Sequence, residues 1–145
     1  MLIFVQSRNR PKHAPLTIWL SGGPGASGGL SAMTENGPCY VNEYSNGTFL
    51  NPYSLNQFSN VLYIDQPNQV GYSYSTYMNS TVNFLNTNPS NNGITPLSAY
   101  DGKVPAENTT FKYGVFADQN QKYTANTTAI AARQVWHFMQ AWLTK

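Results

Sequence analysis

Leu16-Thr17-Ile18-Trp19-Leu20 is a β-branched and aromatic run that stops on Ser21 and the cluster Gly22-Gly23-Pro24-Gly25. A strand that must hand its backbone directly to such a loop constrains the fold more than any other feature of this chain. Glycine lets the loop take positive φ and lets the backbone approach a ligand, while proline fixes one φ and removes a competing donor. The cluster is either a plain tight turn or a loop that aims N–H groups at developing negative charge, and on its own it leaves both readings open. The order predicts an exposed loop, Gly22 to Gly25, at the end of a central strand.

Two further runs read as strands. Leu2-Ile3-Phe4-Val5 enters the turn Ser7-Arg8-Asn9-Arg10-Pro11, and Asn60-Val61-Leu62-Tyr63-Ile64 is a nearly continuous apolar run of the kind a doubly covered sheet needs. Leu30 to Glu35 is a short helical segment closed by Asn36-Gly37-Pro38. From about residue 75 to 127 the composition shifts to Asn, Ser, Thr, Gly and Pro with little periodicity, which reads as an insertion, a lid or a mobile loop. In Thr128–Leu143 the apolar positions Ala131, Val135, Phe138, Met139 and Trp142 recur at helical spacing, opposite Arg133, His137, Gln140 and Thr144. Three strands and this helix make the chain α/β, with about half of a sheet in hand.

Charged residues are 10% of the chain, against about 25% in an average soluble protein. The polar but uncharged composition is that of an exported protein, and the net charge of +2 is too small and scattered to serve a nucleic acid. Asn46, Asn79, Asn108 and Asn126 each open an N-x-S/T triplet, the pattern that accepts N-linked glycan. No apolar run is long enough to span a membrane. The opening residues lack the features of a signal peptide, so export would need a signal upstream of Met1. Cys39 is the single cysteine and has no disulfide partner within the chain.

Four motifs follow one another in order: Trp19-Leu20-Ser21-Gly22-Gly23-Pro24-Gly25-Ala26-Ser27, then Glu35-Asn36-Gly37-Pro38, then Asn51-Pro52-Tyr53-Ser54-Leu55, then Asp65-Gln66-Pro67-Asn68-Gln69-Val70-Gly71-Tyr72-Ser73-Tyr74. Together they resemble the serine carboxypeptidase family, fungal-like, whose pattern runs N-G-G-P-G-C-S-S, E-x-G-P, N-P-x-S-W and D-Q-P-x-x-x-G-F-S-Y. The resemblance implies a partial α/β-hydrolase fold, an incomplete central sheet with flanking helices. Residues 1–145 would be the N-terminal part of that domain, with the polar stretch at about 75–127 as its insertion. It implies a secreted or vacuolar peptidase acting on the C-termini of peptides and proteins, without cofactor or metal.

By the same resemblance Gly23, with Gly22 beside it, matches the backbone donors of the oxyanion hole. Glu35 matches a glutamate that holds the substrate's terminal carboxylate by sharing a proton with a second glutamate. A protonated acid can donate a hydrogen bond to a carboxylate, which an ionised one cannot. Two positions depart from the family. Ser21 stands where the family has the asparagine that binds the same carboxylate, and its single hydroxyl has a shorter reach. Ala26 stands where the family has a cysteine.

Ser27, Asp65 and His137 fall in the hydrolase order Ser–Asp–His, and Gly25-Ala26-Ser27-Gly28-Gly29 satisfies G-x-S-x-G. We reject this triad. His137 belongs to the polar stripe of a helix facing water, and Asp65 opens a turn in which aspartate bonds its own backbone. The family's nucleophile motif, G-E/T-S-Y-G-G, is absent and is expected after the last helix. Two rival readings remain: a catalytically inert truncated product, and a hydrolase similar to proline iminopeptidases. The latter family has His before the glycines and D-Q-R-G later, where this chain has Ser21 and Asp65-Gln66-Pro67.

Overall fold

The computed structural model describes residues 1–23, 25–88 and 92–144, which fall into two compact units, residues 1–73 with 125–145 and residues 74–124. In the first unit β1 (Leu2–Val5), β2 (Leu16–Leu20) and β5 (Asn60–Ile64) form a sheet in the order β1-β5-β2. β5 runs antiparallel to β1 and parallel to β2, with Leu2 opposite Ile64 and Leu16 opposite Asn60. Among the described residues the middle position belongs to β5, and β2 pairs along one edge, with β5. The burial explains the order. Val61, Leu62, Tyr63 and Ile64 are all buried, whereas β2 alternates between half-buried and exposed. A continuous apolar run is stable only with both faces covered.

The helix α1 (Gly28–Thr34) starts two residues before the apolar pattern does, because Ser27 caps it with its hydroxyl 3.4 Å from the Leu30 N–H. Gly28 lets the helix lie against the sheet: a Cβ there would come within 2.4 Å of the Ile64 carbonyl oxygen. Ala32 on α1 joins Val61 and Tyr63 in the core, with Ile3, Val5 and Trp19 packed around it. A hairpin of β3 (Cys39–Val41) and β4 (Thr48–Leu50) follows.

The last helix, α2 (Thr128–Leu143), occupies the predicted span, with Thr127 as its N-cap. Ala131, Val135, Phe138, Met139 and Trp142 are half-buried, and Arg133, His137, Gln140 and Thr144 are exposed. Trp142 packs on Phe4 of β1, ring centroids 5.8 Å apart. No residue of the helix is fully buried. Trp136 on α2 and Leu30 and Met33 on α1 keep 58%, 60% and 60% of their surface in water. Each such side chain forgoes about 1.5–3 kcal/mol of burial. The 145-residue polypeptide by itself is therefore expected to bind a hydrophobic dye such as ANS and to melt without a sharp transition. A cooperative, dye-free melt of a monomer would contradict this.

The second unit, read above as poor in structure, contains β6 (Tyr77–Asn83), β7 (Ile94–Pro96) and β8 (Phe111–Ala117) in an antiparallel sheet of order β7-β6-β8. Its middle strand, β6, escapes hydropathy because part of what it buries is polar. Ser80 and Thr81 are wholly buried, and the Thr81 hydroxyl pairs with the Tyr100 hydroxyl at 2.9 Å. A hydrogen-bonded threonine can replace an apolar residue on a covered strand face.

Candidate functional site

The chain leaves β2 at Leu20 and passes into the glycine loop. Gly22 and Gly23 are exposed, and neither N–H has a hydrogen-bond partner among the described residues. Gly23 has φ of +73° and Gly25 of +99°, the left-handed region that favours glycine. The Gly23 carbonyl accepts the Ala26 N–H at 2.8 Å, closing the turn. Pro24 lies outside the described residues.

Ser21 is buried. Its hydroxyl lies 3.2 Å from the Ser27 carbonyl, to which it can donate, and 2.7 Å from the Ser31 hydroxyl. The hydroxyl expected to meet a substrate carboxylate is thus engaged across the base of the loop. Glu35 follows the end of α1. Its backbone N–H donates to the Ser31 carbonyl at 3.0 Å, while its exposed side chain has no partner among the described residues.

Asp65, at the end of β5, is more than a local turn residue. It is 4% exposed and its carboxylate accepts three donors: the Ser27 hydroxyl at 2.5 Å, the Gly29 N–H at 3.2 Å and the Tyr72 N–H at 3.0 Å. The spacing of D-Q-P-x-x-x-G follows from this. The chain turns back on the carboxylate, and a Cβ on Gly71 (φ +56°) would come within 2.6 Å of it. Burial pushes the Asp65 carboxyl up, but the bonds from Ser27, Tyr72 and Gly29, with the Met1 amino group at 3.9 Å, outweigh it and hold the group below its ordinary value.

A carboxylate held low stabilises the fold above its unfolded pKa, about 3.9, and that contribution disappears as pH falls through the lower folded value. In a full-length protein carrying this segment, melting temperature is expected to drop on acidification from neutral to below about pH 4, with a shallower drop in Asp65→Asn. Equal slopes would show that Asp65 is not the titrating group.

Ser27 and Asp65 do meet, but directly, with no base between them, and the Ser27 oxygen also accepts the Leu30 N–H. His137 is exposed on α2 with its ring against Trp136 at 4.9 Å. These three residues form no catalytic relay.

Gly22 and Gly23 border a cavity of about 640 Å³ whose other walls include Pro67, Asn126, Val135 and Trp136. The asparagines that open the four N-x-S/T triplets, Asn46, Asn79, Asn108 and Asn126, are exposed. Asn46 sits in the β3–β4 hairpin and Asn108 turns its own backbone by accepting the Thr110 and Phe111 N–H groups. Among the described residues no cluster of His, Cys, Asp and Glu could hold a metal ion, and no helix is long and apolar enough to cross a membrane.

Apart from Glu35, the two middle motifs are held together by buried and half-buried hydrogen bonds. Asn51 is 1% exposed and donates to the Gly37 carbonyl at 2.9 Å, while its N–H bonds the Pro38 carbonyl. Ser54 and Tyr63 both donate to the Asn36 carbonyl. Arg8 spans the pair, donating to the Asn51 and Pro38 carbonyls at 2.9 and 2.5 Å. These residues fix the end of α1, and with it Glu35. Arg8 was legible only as a turn residue because its partners lie far along the chain.

The sequence model of the serine carboxypeptidase family matches residues 2–145. Carboxypeptidase S1 homolog A of Arthroderma otae is 50% identical over 139 residues, covering 96% of this chain and 20% of the relative. The homolog A of Trichophyton rubrum is 46% identical over the same coverage. The chain thus spans about a fifth of the length of these curated relatives. Among solved structures, the prohormone-processing carboxypeptidase Kex1Δp of Saccharomyces cerevisiae is 37% identical, with a TM-score of 0.41 over 50% of this chain and 16% of that one.

Proposed function

The chain belongs to the serine carboxypeptidase family, and on that premise we propose that it supplies the oxyanion loop, and part of the carboxylate site, of a peptidase that releases C-terminal residues. The observation that carries this reading is the pair of exposed N–H groups of Gly22 and Gly23, without a hydrogen-bond partner among the described residues, beside the 640 Å³ cavity. Donors fixed before the reaction stabilise an oxyanion without reorganising, and in a site shielded from water this is usually the largest catalytic effect. The attacking serine and its base come from elsewhere in the enzyme, since Ser27 is occupied by Asp65.

Glu35 is the carboxylate-reading group of this segment. Its exposed side chain is available to a partner acid and to the substrate's terminus. The substrates are peptide and protein C-termini. The enzyme travels the secretory pathway, with Asn46, Asn79, Asn108 and Asn126 as glycan acceptors, and residues 74–124 are an insertion in its hydrolase domain.

The test is a hybrid enzyme in which this chain replaces the matched segment of the Arthroderma otae relative. It should hydrolyse a peptide with a free C-terminus and leave the amidated analogue nearly untouched. Glu35→Ala should raise KM on the free acid about ten-fold, the loss of a hydrogen bond to a charged group. Equal hydrolysis of both peptides, or no hydrolysis by a folded hybrid, would refute the reading.

A further inference from the structure

We propose that Ser27 is the positioning residue of the oxyanion loop, anchored on Asp65 through its hydroxyl and closed onto Ser21 through its carbonyl. The inference rests on the reading of Gly22 and Gly23 as oxyanion donors. A loop built from glycines has little of its own to hold it. A Cβ added at Gly22, Gly23 or Gly25 would find nothing within 4 Å, so no packing restrains these residues from the side. Apart from the Gly23–Ala26 bond, the direction of the two N–H groups depends on how the base of the loop is held.

Both holds converge on Ser27. Its hydroxyl donates to Asp65 Oδ1 at 2.5 Å, which fixes the downstream end of the loop to the end of the buried strand β5. Its carbonyl lies 3.2 Å from the Ser21 hydroxyl, which ties that end to the upstream one. Ser21 is 8% exposed and also pairs with Ser31 on α1, so the closure is set on the first turn of a helix already packed on the sheet. The serine at position 21, in place of the family's asparagine, closes the loop and does not read the substrate.

The experiment uses the hybrid enzyme with Ser27→Ala, Ser27→Thr and Ser21→Ala. Steady-state kinetics on free and amidated peptides are combined with amide order parameters from glycine-selective ¹⁵N labelling. Ser27→Ala should lower kcat about 10²-fold, the scale of a donor displaced by about 1 Å, and leave KM within about two-fold. The Gly22 and Gly23 order parameters should fall from the rigid value of about 0.85 to below about 0.6. Ser27→Thr, which keeps the hydroxyl, should restore both.

Wild-type kcat and rigid glycines in Ser27→Ala would overturn the proposal, as would a kcat loss that Ser27→Thr fails to repair. Ser21→Ala should lower kcat and keep the preference for the free acid. Loss of that preference would make residue 21 a carboxylate reader and overturn its part. If the unsubstituted hybrid is folded but inactive, the peptidase reading fails, and the glycine order parameters still decide the role of Ser27.

Discussion

Gly23→Ala in the hybrid enzyme is expected to lower kcat by about 10²-fold, within the range seen when one oxyanion donor is removed, with KM within about two-fold of the parent. The cause is conformational. A Cβ at this position meets nothing within 4 Å, so no clash forces the change. Residue 23, however, sits at φ +73°, where a non-glycine residue costs about 1–2 kcal/mol. The loop relieves that strain by rotating towards negative φ, and the rotation swings the N–H away from the oxyanion. Gly22 carries no positive φ, so Gly22→Ala should lose less. The measurement is single-turnover acylation of both variants on one ester substrate. Equal losses would remove backbone strain as the explanation.

Gly37→Ala is expected to destabilise the hybrid by about 4 kcal/mol or more, the range reserved for severe core disruption. A Cβ on Gly37 would lie 1.5 Å from the Ala32 carbonyl oxygen and 2.5 Å from its carbon. The obstacle is backbone, so no side chain can move aside. Gly37 is also pinned on its other face, since its carbonyl accepts the Asn51 amide at 2.9 Å. The variant should melt about 3 °C or more below the parent, the shift that this loss makes in a protein the size of the hybrid, or fail to accumulate as soluble protein. Gly47→Ala is the control: its nearest neighbour would be a side-chain nitrogen of Asn42 at 3.4 Å, and its effect should stay within about 0.5 kcal/mol. A mild Gly37→Ala would mean that α1 ends with more freedom than its geometry implies.

What could be read from sequence followed from contrast in polarity. β1, β2 and β5 stand out as short apolar runs bounded by polar turns, and α2, whose apolar residues recur at helical spacing, keeps its predicted span residue for residue. β6, the middle strand of the second sheet, is obscure because it buries Ser80 and Thr81, and the Thr81 hydroxyl is satisfied by partners that hydropathy cannot see. The strand order was obscure for a different reason. Both β1 and β2 pair with Asn60–Ile64, the strongest apolar run of the three, and pairing partners that lie 40 or more positions apart leave no local mark in the sequence.

The site divides in the same way. The glycine loop was legible because positive φ and exposed N–H groups demand glycine, and Gly23 and Gly25 do hold positive φ. Asp65 was read as a local turn residue because a carboxylate before a proline turn has an obvious near partner. Its Ser27 bond joins residues 38 positions apart. The inward turn of the Ser21 hydroxyl depends on Ser31, one face of a helix whose start at Gly28 was placed two residues late.

The strand order also sets a timetable for folding. β1 and β2 are consecutive in the chain, but neither pairs with the other; both pair with β5. On the ribosome Leu2 must wait for Ile64 and Leu16 for Asn60. They form no hairpin with each other that could shelter them meanwhile. Closing such long loops delays the reward of pairing, and non-local strand contacts are the slow ones. Two apolar segments therefore leave the ribosome before the strand they share, a window in which a chaperone or an aggregation partner competes with β5 for the same edges.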